Sequence, residues 1–441
     1  MYKHRDPIFG LDLILKTGLS IKNNSFNEEN FARFDLYGPT FQGIAWATQC
    51  INSIEPKNLA SVLGGSDWGV QEMRLPTWAP FCGAGFLTTD GEEAKWKRSL
   101  LKPFFHSSNI SDLSLMHAGL YQMMRMFPKD DTAFDLQPLV FDLYLDLSTS
   151  FLFGEPIGAL SGKCPQHAKG FVDAFQAGIA GCGLRMAVGP LRHLIPNRSW
   201  FEACKKSHQF ADYYVDRALE HRARYLAKQK EADPGDGTLT KPRTLLIKMA
   251  EVTGDRKLLR DQIVQAMMGS QDTTSVLICN VVHLLSRHKD IQRQLQTEII
   301  SLGTKDPSFE NLGRMRYLQA ILNETLRLHP VFPHIARVAM KDTILPSGGG
   351  SDGKSPIFCP AGSLFRTSIY TLHRQTRTYG PDAHEFKPER WLDKSFMPGT
   401  YEYVPFGVGR RSCLGKHKAM MESSYMIVRL FQQCHHGMRV N

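Results

Sequence analysis

One cysteine in a glycine-rich loop constrains this chain more than any other feature. Residues 406–415 read Phe-Gly-Val-Gly-Arg-Arg-Ser-Cys-Leu-Gly. Directly after the cysteine, Leu414, His417, Met421, Tyr425 and Val428 recur at helical spacing, so a helix begins there. Cys413 therefore lies at a helix N-terminus, where unpaired N–H groups and the helix dipole favour an anion. Such a setting lowers a thiol pKa and holds the sulfur as thiolate. Gly407, Gly409 and Gly415 let the backbone turn tightly and aim N–H groups at the sulfur. The ordinary fate of a lone cysteine is a buried structural thiol in a turn.

A thiolate held by backbone donors is how a protein tunes a haem iron. Arg411, two residues upstream, is placed to pair with a haem propionate. The loop resembles the haem loop of the cytochrome P450 family, whose pattern is Phe-x-x-Gly-x-Arg-x-Cys-x-Gly. Phe406, Gly409, Arg411, Cys413 and Gly415 fill every fixed position. The resemblance implies a mainly α fold with a small β portion, built as a single domain, residues 1–441, around a buried haem b. Cys413 would be the axial ligand and the sole metal-binding residue.

Two further family motifs follow the same order along the chain. Leu258–His288 reads as one helix, about thirty residues long against a usual eight to twenty. Its middle, Gly269-Ser270-Gln271-Asp272-Thr273-Thr274-Ser275, is small and polar, which suits a helix interior poorly. Either a weak turn is tolerated there or a kink opens a groove for a ligand. The family carries its oxygen-binding groove here, with the pattern Ala/Gly-Gly-x-Asp/Glu-Thr-Thr. Asp272, Thr273 and Thr274 match, and Ser270 replaces a glycine. By resemblance Thr273 hydrogen-bonds the bound dioxygen and Asp272 helps deliver protons. A positioned hydroxyl within a water relay is what such a proton transfer needs.

Arg314–Leu328 reads as an amphipathic helix with Glu324 and Arg327 on one face. The family joins this pair to a later arginine, here Arg390 of Pro388-Glu389-Arg390-Trp391, in a buried structural network. Arg337 matches a propionate-binding arginine on the strand after Pro330, and Arg98 matches another on a helix over Glu92–Lys102. At the position where the family has a tryptophan, four residues before Arg98, this chain has Ala94. His334 is read as a surface or satisfied histidine rather than a ligand, and is given no catalytic role.

Elsewhere the chain reads as ordinary globular protein, 42% hydrophobic and 22% charged, without internal repeats. Its nine cysteines are scattered without Cys-x-x-Cys pairs, which excludes a zinc spacing and argues for a reducing compartment. The net charge of +10 is spread, and no nucleic-acid motif accompanies it. The pattern predicts a helix over Asn27–Leu36, a β-like stretch over Thr40–Thr48, and a loop over Trp68–Asp90. It also predicts a core helix over Phe134–Phe153, a glycine-rich apolar stretch over Phe171–Ile195 whose Phe/Met stripe is more often core than pocket although the resemblance places it over the substrate, an exposed linker over Glu231–Pro242, and a hairpin around the Ser347–Gly353 glycines. Phe81, Phe86, Met267 and Phe332 are candidate pocket residues.

The apolar run Ile8–Leu15 contains Asp12 and is too short to span a membrane. Relative to the family, the chain is expected to lack an N-terminal anchor and a C-terminal β-hairpin. The family's usual place is the cytoplasmic face of the endoplasmic reticulum; without an anchor, a cytoplasmic or peripheral location is expected. The resemblance implies monooxygenation: one atom of O2 enters a C–H bond of a small hydrophobic substrate, with electrons from NADPH–cytochrome P450 reductase. The Gly-rich hairpin and Tyr370-Thr371-Leu372-His373-Arg374 resemble the fungal alkane and fatty-acid hydroxylase branch. Departures at Ser270, His334 and Ile335 favour tailoring of a secondary metabolite. The competing expectations are a haem-thiolate isomerase or dehydratase, against which Asp272 and Thr273 argue, and an inactive truncated haem-binding product.

Overall fold

The computed structural model describes residues 1–128, 130, 132–231, 244–303 and 306–434. Residues 232–242, most of the expected linker, lie outside the described residues. Helices dominate the described chain, beside seven short strands. These are β1 (Thr40–Ala45), β2 (Thr48–Ser53), β3 (Trp68–Gly69), β4 (His334–Ala339), β5 (Thr343–Gly349), β6 (Ser355–Cys359) and β7 (Leu364–Ser368). The expected mainly α fold with a small β portion is what the chain adopts. It divides into two compact units, one of Met1–Met73, Asn280–Lys416 and the chain from Ser423, the other of Arg74–Cys279 with His417–Glu422.

The first unit carries all the strands. A five-stranded sheet runs in the order β1-β2-β7-β4-β3, and β5 pairs with β6 in a separate hairpin. The stretch 40–48, expected as one β-like segment, is instead the start of a hairpin, with β1 and β2 paired from Thr40 opposite Ser53 to Ala45 opposite Thr48. The chain reverses at Trp46 and Ala47, whose φ angles are +54° and +59°. A two-residue hairpin needs this left-handed pair and usually recruits Asn-Gly or Asp-Gly for it. Trp-Ala gives no such signal, so the turn is invisible in the sequence. Beneath the sheet lies an apolar core of Phe34, Phe41, Ile51, Trp68, Leu345 and Phe365. The helix Phe26–Tyr37 matches its sequence expectation and supplies Phe34.

The second unit is helical. Gln137–Phe153 is apolar on most of its surface and buries ten residues, as a core helix should. Along Phe171–Val188, Phe171 and Phe175 join Phe81 and Phe210 in an aromatic cluster with ring centroids 3.7–5.3 Å apart. Met186 is 37% exposed, so the apolar stripe ends before it.

The expected loop over Trp68–Asp90 is corrected. It holds β3 and a helix, Gln71–Cys82, with Pro76 and Pro80 inside it. Prolines normally break a helix interior. Tertiary contacts sustain this one: Thr77, Phe81 and Cys82 are buried, and its last carbonyls find side-chain donors. His208 Nε2 donates to Phe81 O at 2.7 Å, and Gln265 Nε2 donates to Cys82 O at 3.0 Å.

Candidate active site

The Cys413 loop belongs to the first unit. Its backbone closes on itself: Gly407 N donates to Val404 O (3.0 Å), Ser412 N to Gly409 O (3.1 Å) and Cys413 N to Phe406 O (2.8 Å). Gly409 has φ +72°, and a Cβ there would lie 2.1 Å from Leu63 O, so no other residue fits. The helix Lys416–Cys434 starts just beyond Gly415, and its residues 423–428 are buried. The turn thus leaves Cys413 exposed at the mouth of an anchored helix. Arg411 and Phe406 are half-buried beside it, with the Lys416 ammonium 5.9 Å from the Phe406 ring centroid.

Behind the loop, the structure brings Glu324, Arg327 and Arg390 together in the same unit. Arg327 is fully buried on the helix Arg316–Leu328 and uses its whole guanidinium. Nε and Nη2 clasp both Glu324 oxygens at 2.8 Å each, while the remaining bonds reach His373 O (2.8 Å), Ala383 O (2.6 Å) and Glu385 O (2.9 Å). Arg390 Nε donates to Glu324 Oε1 at 2.9 Å. Glu324 also accepts from Trp391 Nε1 (2.9 Å) and Lys387 N (3.0 Å). One buried carboxylate therefore gathers two guanidiniums, an indole and an amide, so the charges are compensated where they are desolvated. Trp391, next to Arg390, is a member that the sequence reading missed.

The polar stretch at 269–275 belongs to the second unit and breaks the expected single helix. Arg256–Ser270 ends, Gln271 and Asp272 bend, and a second helix, Thr273–Arg287, begins. At such a break the last carbonyls lose their partners one turn ahead. Two hydroxyls replace them. Thr273 Oγ1 donates to Gly269 O and Ser148 Oγ to Ser270 O, each at 2.9 Å. The kink is thus held by side chains, and the small polar residues that weaken the helix are those that complete its opening. Ser270 Oγ, Gln271 Oε1 and Asp272 Oδ1 are buried without a protein partner. Burial pushes the Asp272 carboxyl above its usual range.

Among the described residues, no three His, Cys, Asp or Glu side chains are grouped to hold a metal ion. A single cysteine thiol in a glycine turn is a different kind of centre, and the comparisons with known proteins say which. The family model for cytochrome P450 matches residues 7–439. The chain belongs to the cytochrome P450 family. It is 32% identical to cytochrome P450 monooxygenase himC of Aspergillus japonicus, over 98% of this chain and 77% of that one. It is 33% identical to cytochrome P450 monooxygenase fsdH of Fusarium heterosporum (96% and 75%) and 34% to FPY7 of Fusarium mangiferae (97% and 82%).

A P450 is a haem-thiolate oxidoreductase that uses O2 and electrons from a redox partner. The residues of this P450 fit that group. An exposed thiol sits in a turn that tolerates no Cβ at 409, and buried polar atoms without protein partners lie at the helix break. Arg337 is buried on β4, its Nη1 donating to Ala336 O at 2.8 Å. Arg98 is half-buried on the helix Gly91–Leu101, where Ala94 is buried and Trp96 is 46% exposed.

Of the candidate pocket residues, Phe81 (0%), Met267 (1%) and Phe86 (8%) are buried in the second unit, whereas Phe332 is 61% exposed. His334 Nε2 donates to Asn27 Oδ1 (3.0 Å) and the ring packs on Phe26; burial lowers its pKa to about 4, so it stays neutral. Sequence reading also missed Asp261, Gln262 and Gln265. From one helix face they accept the N–H groups of Ala84, Phe86 and Leu87 at 3.0, 2.8 and 2.6 Å, which fixes the loop after Cys82. Their spacing over one helical turn was the available signal.

Proposed function

We propose that this P450 hydroxylates an aliphatic position of a hydrophobic secondary metabolite, as a single catalytic domain spanning residues 1–441. Cys413 Sγ would ligate haem b, with Phe406, Gly409 and Gly415 shaping its turn and Arg411, Arg337 and Arg98 holding the propionates. The haem, when bound, supplies the activation of O2. The balance is RH + O2 + two electrons + two protons giving ROH + water, with electrons from NADPH through a cytochrome P450 reductase.

The observation that carries this reading is the side-chain-held break at Gln271–Asp272. Thr273 offers a hydroxyl at the opened turn. Asp272, whose carboxyl pKa burial raises above its usual range, is placed beside that hydroxyl to take up and pass on a proton. Thr273→Ala is therefore expected to retain haem and the thiolate spectrum but to lower product formed per NADPH consumed. A positioned proton-transfer group is worth roughly 10²–10⁴-fold, so the loss should be large. Full coupling in that variant would remove Thr273 from the relay.

An aliphatic-tailed natural product and a free fatty acid or alkane share the chemistry a dry apolar site accepts. The buried Phe86 and Met267 support that class. Substrate-induced spectral titration with both types distinguishes the two.

Among the described residues no helix is long and apolar enough to cross a membrane. A peripheral contact at the cytoplasmic face of the endoplasmic reticulum is supported by the helix Leu11–Lys22. Leu11, Leu15 and Leu19 form a stripe on it exposed at 40%, 66% and 59%, with Lys16 and Lys22 on the same helix. An apolar stripe with basic residues suits an anionic lipid surface. Leu15→Glu with Leu19→Glu is expected to abolish sedimentation with phosphatidylserine vesicles; unchanged binding would rule out this face.

A further inference from the structure

The buried imidazole of His373 has no part in the relay or in the charge network, yet it touches the chain that leads into the cysteine loop. Its Nε2 accepts the Val404 N–H at 2.9 Å. Val404 O in turn receives Gly407 N, and Phe406 O receives Cys413 N. The imidazole therefore fixes the residue from which the loop departs, two backbone bonds upstream of the sulfur. On its other side, His373 O receives Arg327 Nη1 at 2.8 Å, so one residue joins the Glu324–Arg327–Arg390 network to the Cys413 loop.

An acceptor at Nε2 requires the neutral tautomer with its proton on Nδ1. Nδ1 is buried, and the backbone of Arg327 and Leu326 faces the ring closely enough to favour a proton on it. The groups around the ring hold it neutral. His373 is fully buried, with the Tyr403 ring 5.1 Å and the Tyr379 ring 6.5 Å away. The charged groups that act on it most strongly are the guanidiniums of Arg327 and Arg374, and both oppose a further positive charge. Burial first, then Arg327, lowers its pKa to about 3.

We propose that His373 is a positioning residue for the Cys413 loop, and that protonating its imidazole releases the loop. This rests on Cys413 being the haem ligand. A protonated Nε2 would confront the Val404 N–H, donor against donor, and a charge would be buried beside two guanidiniums. The sign follows from linkage. A histidine whose pKa is lower folded than unfolded binds more protons when unfolded, between about pH 3 and the unfolded value near 6.5. Its stabilising contribution is complete above about pH 6.5 and declines as the pH falls towards 3.

The test is the reduced, CO-bound spectrum of the haem-loaded protein between pH 7.5 and 4.5, with circular dichroism at each point. The wild type should show the red-shifted thiolate band at pH 7.5 and lose it on acidification while helix content persists. His373→Gln offers an acceptor that cannot be protonated, so the band should survive at least about one pH unit further into acid, a tenfold change in proton concentration. His373→Leu has no acceptor and should show less than half of the wild-type band already at pH 7.5. A Gln variant with the wild-type midpoint would overturn the proposal, as would a Leu variant with a full band at pH 7.5. If the Leu variant does not fold, the Gln midpoint alone decides. Absence of the red-shifted band from wild type at every pH would instead defeat the Cys413 assignment, so the two failures are distinguishable.

Discussion

Replacing Cys413 with alanine is expected to abolish the red-shifted Soret band of the reduced, CO-bound protein and all NADPH-dependent product. As a thiolate, Cys413 would be the soft, anionic ligand of the loop, and it would supply to a bound haem the electron density that favours O–O cleavage. The backbone should survive the change. Gly407 N, Ser412 N and Cys413 N make main-chain bonds that alanine leaves intact, and the helix from Lys416 is anchored by its buried residues 423–428. The variant should therefore keep its helix content and lose only the ligand. Cys413→Ser refines the test: a hydroxyl of the same size should give haem without thiolate character. Persistence of the thiolate band in the alanine variant would transfer the role to another cysteine. Cys82, Cys182 and Cys204 are poor candidates, because burial pushes the thiol pKa of Cys82 and Cys204 up to about 12 and that of Cys182 well up too.

The second large effect is expected from Glu324→Gln. This change keeps the shape and removes the charge that balances Arg327 and Arg390. Both guanidiniums stay buried, at 0% and 8% exposure, and arginine cannot shed its proton. Breaking a buried pair from one side costs about 3–5 kcal/mol. That is a large share of the roughly 5–15 kcal/mol that holds a typical protein folded. Soluble yield and haem content should both collapse, and the urea midpoint of any folded fraction should fall. Arg327→Lys should not rescue, since a point charge cannot reproduce bonds to both Glu324 oxygens and three carbonyls. Glu324→Gln with a wild-type midpoint would mean that the network contributes little.

Much of the site was legible because its chemistry is local. The Cys413 turn needs glycine where φ is positive and the chain passes another backbone, and those glycines sit within a few residues of the cysteine. The break at 271–272 announced itself through small polar residues that compete with helix hydrogen bonds. Its consequence was less legible, since one long helix and two helices with a bend share nearly the same pattern. What closes the bend on one side is Ser148, more than a hundred residues away in sequence, and no spacing rule links it to Ser270.

The helix Gln71–Cys82 shows the same limit more sharply. Two internal prolines made it read as loop, and donors from His208 and Gln265 settle its last turn. The sequence by itself determined the residue types at the thiolate turn, the acid–alcohol pair, and the Glu324–Arg327 face, because each is a short-range pattern with one chemical reason. Only the tertiary structure decided that Glu324 also meets Trp391, that His373 holds Val404, and that Phe332 is exposed while Phe81 is not. Those outcomes depend on which polar groups are buried together, and burial is a property of the packed chain rather than of any segment within it.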